Sequence, residues 1–377
     1  MGSGSSSQPS SVAARRLSSE SFSDPLDHAR LAPEQGLGCS DMILLRFRIA
    51  TCMVALAGSG CATSGIPGSP AGEPSWSFRV VAPAEREDVG LSGLMARVAA
   101  ADVVIFGEQH DDPETHRAEL ELLDAIGRTG RPVVLSLEMF ERDVQAVLDD
   151  YLAGRIDEAG VLRRSRPWPR YASDYRPLVE LAKARAWPVV AANLPRPLAS
   201  AIGRRGLAAL DTLTAAERAY AARTLECPDD DYRARFMEQM RSHTPGSGTA
   251  PLPGDTLPTA IAQRFYLAQC VKDETMAESI VLAMRAAARD AIVVHYTGAF
   301  HSDFAQGTAA RVARRARDAD VVIITAVPVA DPASAPIAPQ SGRADFVIFT
   351  RRPPRPPRPP GPPGPRSRGR PDARSLP

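Results

Sequence analysis

Lysine is almost missing from this 377-residue chain: Lys183 and Lys272 stand against 43 arginines. With 35 prolines and abundant alanine, this reads as a bias of composition. An arginine surface for nucleic acid would cluster on one element instead. Cysteine is scarce too. Cys39, Cys52, Cys61, Cys227 and Cys270 form no C-x-x-C pair and no C-x-x-C-H, which argues against a zinc ribbon or a c-type haem. H-E-x-x-H, G-x-S-x-G and G-x-x-x-x-G-K-[ST] are absent. Hydrolysis by those routes and nucleotide binding by a P-loop are therefore disfavoured. Net charge is only +1, and Arg351–Pro377 carries +7 of it, so residues 1–350 sum to about −6. A mildly acidic body has no nucleic-acid footprint.

Composition divides the chain. Residues 1–41 are rich in Ser and Pro without a sustained period and read as disordered or as a non-native extension. Met42 opens a segment with Arg46 and Arg48, a short apolar stretch from Ile49 to Ala57, and Gly58-Ser59-Gly60-Cys61. That pattern is a secretory signal over residues 42–61, with Met42 as the true start. The apolar stretch falls short of the roughly 20 residues a membrane-spanning helix needs. A Cys after small residues makes Cys61 the expected lipidation site, a plain cleaved signal being the alternative. Gly58 stands where such a signal usually has Leu. Residues 62–74 read as a flexible tether. Residues 75–350 form the fold, and residues 351–377 a disordered Pro/Arg tail.

Within the fold, short Val/Ile runs alternate with helical periodicity. Residues 102–106, 132–137, 188–192, 291–296, 321–326 and 346–349 read as strands. Residues 92–100, 113–126, 142–152, 176–186 and 308–317 read as helices between them. The alternation predicts an α/β fold with a largely parallel sheet flanked by helices. Between about residues 194 and 290 the strand signal vanishes, and 214–225, 231–241 and 259–288 carry helical periodicity. This predicts a helical insertion over the carboxyl ends of the strands. Cys227 and Cys270 lie in it and could pair after export, or remain free thiols.

Ligands in such sheets bind beyond the strands' carboxyl ends. Four of the six histidines fall in two short segments, each placed where a buried apolar run ends. Val103-Val104-Ile105-Phe106 runs into Gly107-Glu108-Gln109-His110-Asp111, and Ile292-Val293-Val294-His295-Tyr296 runs into Gly298 and His301. Asp112-Pro113-Glu114 starts a helix by N-cap, Pro and acid. Helical spacing then turns His116, with Leu120 and Leu123, inward toward Glu108 and His110. Glu138 and Asn193 follow two further runs. Each polar residue alone could be a cap or a loop-closing hydrogen bond, but four polar strand ends point to one shared site. Glu and His suit a metal or haem iron. Tyr296 and Tyr266 are candidate iron ligands, with a core aromatic as the alternative for each.

These segments, with Leu137-Glu138-Met139-Phe140, Gln269 through Met276-Ala277 and Gly298-x-x-His301 with Gly307, resemble the ChaN-like, iron-regulated haem-binding lipoproteins. The resemblance spans roughly residues 95–330. It implies an α/β fold with a helical subdomain, a lipid anchor in a bacterial envelope membrane and haem binding linked to iron uptake. The wider group is similar to the Tiki metalloproteases and erythromycin esterases. Carried over, the cofactor-binding residues are Glu108, His110 and His301, with His116 and Glu138; the iron ligand does not transfer from these motifs, and Tyr296 stands as a cofactor-binding candidate on its position alone. Phe265, Tyr266 and Met276 could line an apolar haem slot, and a homodimer could enclose the haem. The competing expectation is a metal-dependent hydrolase in which His110 and His301, with Glu108, hold a divalent ion that activates water.

Overall fold

A computed structural model describes residues 76–242 and 259–352 of the chain. The signal segment, Cys61, the tether and the Pro/Arg tail beyond residue 352 lie outside the described residues. In chain order the elements are β1 (Arg79–Ala82), β2 (Glu87–Asp88), α1 (Gly90–Val98), β3 (Val103–Glu108), α2 (Pro113–Gly127) and β4 (Val133–Glu141). Next come α3 (Gln145–Leu152), α4 (Glu158–Arg164), α5 (Tyr171–Asp174), α6 (Arg176–Ala184), β5 (Val189–Asn193) and α7 (Arg196–Arg205). Then follow α8 (Ala215–Arg218), α9 (Asp231–Ser242), α10 (Thr259–Ala286), β6 (Ile292–Gly298), α11 (Gly307–Arg315), β7 (Val321–Val329) and β8 (Phe346–Arg351).

The strands form one sheet in the order β2-β1-β8-β7-β3-β6-β4-β5. From β8 to β5 all neighbours run parallel, and β1 and β2 add an antiparallel edge. The fold is α/β, as the alternation of runs predicts. Every residue of β3, β4 and β6 is buried, because helices cover both faces of a parallel sheet. Alternate residues divide between two cores. Val104 and Phe106 of β3 pack with Leu122, Leu123 and Ile126 of α2. Val103 and Ile105 pack on the opposite face with Ile280 and Val281 of α10 and Val312 of α11.

Several elements depart from the sequence expectation, among them α4 and α5, which fall where no helix was expected. The β1–β2 edge was not expected: its strands are four and two residues long, too short for an alternating pattern to register. The helix expected at 214–225 shrinks to α8. Downstream, the N–H groups of Ala222, Arg223 and Glu226 donate to Thr275, Glu278 and Glu274 of α10. Side chains of a neighbouring helix thus satisfy donors that helical carbonyls would otherwise take. Glu274 in turn is buried and ion-paired with Arg311, Arg314 and Arg315 of α11.

Cys227 and Cys270 form a disulfide across 43 residues of sequence, pinning the segment before α9 to α10. Closing a loop of that length stabilises a fold by about 2–4 kcal/mol. Replacing both cysteines with Ala should lower the unfolding free energy by about that amount in denaturant titration. Thiol counting on unreduced, unfolded protein should find neither sulfur free. In the full chain with its five cysteines, five free thiols instead of three would show that the bridge does not form.

Candidate functional site

The carboxyl ends of β3, β4 and β6 carry two buried clusters of acids and imidazoles, one on each face of the sheet. On the α2 face is Glu108, the last residue of β3. Its Oε1 accepts a hydrogen bond from the Tyr175 hydroxyl at 2.8 Å and is bonded to Nδ1 of His110. His116 is aimed inward because Asp112 caps α2, accepting from Glu114 N–H at 3.2 Å and from the hydroxyls of Thr115 and, on β8, Thr350. Nδ1 of His116 lies 2.9 Å from Glu119 Oε2 and 3.7 Å from Glu108 Oε2. Its Nε2 lies 3.2 Å from the His110 carbonyl and 3.4 Å from Asp174 Oδ2. Burial, and next the negative charge of Glu108, push the Glu119 carboxyl well above the usual carboxylate range.

On the α10 face His301 lies between two carboxylates. Its Nδ1 is 2.6 Å from Asp273 Oδ1, and its Nε2 is 3.4 Å from Glu138 Oε1 and 3.2 Å from the Gln269 amide. Asp273 also accepts hydrogen bonds from Thr308 and Tyr232. Glu138 Oε2 accepts from the Thr297 hydroxyl at 2.6 Å and the Gly298 N–H at 2.8 Å. Burial alone would lower the His301 pKa, but Glu138 and then Asp273 outweigh it and raise the value to about 10. Burial likewise opposes ionisation of Glu138, yet His301 holds its pKa well below the usual range. The protonated imidazole thus lies between two carboxylates and offsets part of their charge, as buried charges need a partner.

His110 stands between the clusters. Burial opposes its protonation, but the bond to Glu108 and the charge of Glu138 raise its pKa. The ring meets Trp168 edge-on at 5.1 Å and is 45% exposed, unlike the buried His116 and His301. Gly298 makes its position possible: a Cβ there would come within 2.7 Å of His110 Nε2. At Gly107, likewise, a Cβ would strike the Ser302 hydroxyl and the Ala299 backbone. Both glycines serve close approach at a strand end.

The structure therefore brings together Glu108, His110, His116, Glu138 and His301 at one sheet edge. Glu138 sits inside β4 rather than after it, since that strand continues to Glu141. Asn193 ends β5 and donates to the Glu138 carbonyl. Tyr296 stands apart from its expected role as iron ligand. It is fully buried against Phe106, and its hydroxyl donates to the Glu119 carbonyl at 2.9 Å. Its raised pKa, caused by burial and then by the charges of Glu119 and Glu108, keeps that hydroxyl protonated. Tyr266 is buried with its hydroxyl on the Pro228 carbonyl, and Met276 is fully buried, so neither lines an open slot. Phe265 is exposed.

Sequence reasoning missed Asp273, Glu119, Tyr175 and Trp168. Glu119 follows His116 by three residues, and Asp273 follows Gln269 by four. Both spacings put a pair on one helix face, which was the available signal. Tyr175 and Trp168 come from the segment around α5 and carried none.

The sequence model of the family described as haem-binding uptake, Tiki superfamily, ChaN matches residues 94–312. Among solved structures, ChaN of Campylobacter jejuni, described as binding haem cofacially, is similar in fold: 13% identity, 72% of this chain and 96% of that chain covered, TM-score 0.52. An erythromycin esterase in its open conformation also matches, at 14% identity over 72% of this chain and 82% of its own, TM-score 0.37. A Bacillus cereus protein matches at 12% identity over 69% and 91%, TM-score 0.40. No curated protein matches the chain.

The His301 unit sets a pH dependence. A folded pKa of about 10 exceeds the ordinary histidine value, which is about 6.5 in the unfolded chain. The pair's stabilisation is therefore complete below about pH 6.5 and is lost as pH climbs toward and through the folded value. Glu138, with its pKa lowered, contributes stability above the ordinary carboxylate range that is lost as pH falls. Unfolding free energy measured from pH 6.5 to 10 should decline for the native chain, and His301→Ala should be less stable with a flatter decline. Equal slopes would show that His301 is not held charged in the folded state.

Proposed function

The chain belongs to the ChaN family of the Tiki superfamily, and on that premise we propose that it is a haem-binding protein of the bacterial cell envelope that takes part in haem or iron uptake. The observation that carries the reading is His110. Of the site's histidines it alone has a half-exposed ring, and the Glu108 carboxylate occupies Nδ1. Nε2 has no hydrogen-bond partner among the described residues, so it is the nitrogen left for iron. A carboxylate on the far nitrogen fixes the tautomer and raises the basicity of the ligating one. The residues thus fit haem iron at the carboxyl edge of the sheet, with Trp168 beside the imidazole.

Within this reading His110 binds iron, while Glu108 and Tyr175 hold its ring in place. His301 and Glu138 support the neighbouring strand end, because both nitrogens of His301 already have partners. The Cys227–Cys270 bridge supports export, since disulfides persist in oxidising compartments. Anchoring would come from a lipid on Cys61. A homodimer enclosing the haem belongs to the same proposal.

Two experiments test it. Titrating haem into the purified chain should produce a Soret band that saturates. His110→Ala should weaken binding or shift the band, and His301→Ala should weaken it through lost positioning. The cost per lost contact is about 1–3 kcal/mol, or roughly five- to 150-fold in affinity. Tyr296→Phe should leave the band unchanged. A folded chain with no saturable band overturns haem binding. Feeding cells a fatty-acid analogue should label the protein, and Cys61→Ser should abolish the label. An unlabelled protein found in the periplasm would mean a plain cleaved signal.

A further inference from the structure

Glu108 and Glu119 are two carboxyl side chains with almost no exposure, at 1% and 0%, gathered with His116 beneath the sheet edge. Donor atoms of Glu108, His116 and Glu119 all lie within 4.8 Å of one another. Two oxygens there, Glu108 Oε2 and Glu119 Oε1, are buried and receive no N–H or hydroxyl donor, and the Glu119 carboxyl lies within hydrogen-bonding reach of Glu108. Orphaned buried oxygens of this kind are costly unless something completes them. Two carboxylates also repel each other strongly away from water. Arg170, on the Asp174 side of His116, is paired with Asp174 and makes no ion pair with Glu108 or Glu119.

We propose that Glu108, His116 and Glu119 form a buried site for a first-row divalent cation, distinct from the haem-binding surface over His110. The cation neutralises both carboxylates and takes up the two orphaned oxygens. His116 supplies Nδ1, the nitrogen facing Glu108 and Glu119. Its Nε2 points to the His110 carbonyl and the Asp174 carboxylate. Such a partner on the far nitrogen is what a metal-ligating imidazole ordinarily has. Glu108 divides its oxygens in the same way. Oε1 receives Tyr175 and His110, and Oε2 is left for the ion. One imidazole and two carboxylates suit Zn²⁺ or Mn²⁺, with water completing the shell. The ion would also hold Glu108 firmly against His110, linking the buried site to the exposed ring.

The test uses the full chain prepared without haem, so that it is independent of haem binding. After equilibration with Zn²⁺ and removal of free metal, elemental analysis should find about one ion per chain. His116→Ala and Glu119→Gln should each lower that content more than about tenfold. His301→Ala should retain it, whereas a metal held by His110 and His301 would be lost. Removing the ion from the native chain with a chelator should lower the thermal midpoint, because a ligand bound only by the folded state stabilises it. If His116→Ala fails to fold, Co²⁺ loaded into the native chain decides. A visible absorption band at one equivalent is expected, and it should be absent in Glu119→Gln. A native chain that retains no ion, or one whose ion survives His116→Ala and leaves with His301→Ala, overturns the proposal. The two carboxylates would then share a proton instead.

Discussion

Pairing of charge under burial governs this structure. His301 and its two carboxylates are removed from water, and no one of them could be there alone. The unit draws in each element around it. Glu138 brings β4 to the Thr297–Gly298 end of β6, and Asp273 brings α10 to Thr308 of α11 and Tyr232 of α9. Removing His301 would leave two carboxylates uncompensated beside the central strands, so the geometry of the strand ends is set by electrostatics as much as by apolar packing.

Helix α10 shows how one element serves both purposes. Its carboxyl-terminal half, with Ala277, Ile280 and Val281, closes the core over the sheet. Its middle is buried yet polar: Asp273, Glu274, Thr275 and Ser279 each have partners on other elements. Glu274 collects three arginines, Thr275 accepts the Ala222 N–H, and Ser279 donates to the Ala192 carbonyl and accepts from Arg142. A helix with such satisfied polar groups fixes its own rotation, since turning it would unpair all of them at once. That places Gln269 and Asp273 against His301 and leaves the apolar residues for the core.

The two glycines at the strand ends work by absence of a side chain. Gly298 lets the His110 ring rest across β6, and Gly107 admits Ser302 and Ala299 against β3. The half-exposed imidazole and the buried clusters beneath it are therefore neighbours across a thin layer of backbone. The exposed imidazole of His110 is joined to the buried cluster through Glu108, which bonds His110 and lies 3.7 Å from His116.

Much of this was legible in the chain. Continuous Val/Ile runs ending in Gly dictate buried parallel strands, because only a sheet covered on both faces tolerates them. Glu108, His110, Glu138 and His301 follow or end such runs, so their gathering at one edge came from local pattern alone. The N-cap at Asp112 and helical spacing turned His116 inward for the same reason. What the sequence could not decide was which polar residues of α10 are buried, since Val271-Lys272-Asp273-Glu274-Thr275 has the composition of a solvated helix face. Nor could it decide between the two readings of Tyr296. Those depend on what lies opposite: three arginines and a histidine for α10, and the Glu119 carbonyl for Tyr296. Partners distant in sequence meet only when the chain closes on itself, and burial and protonation are properties of that meeting.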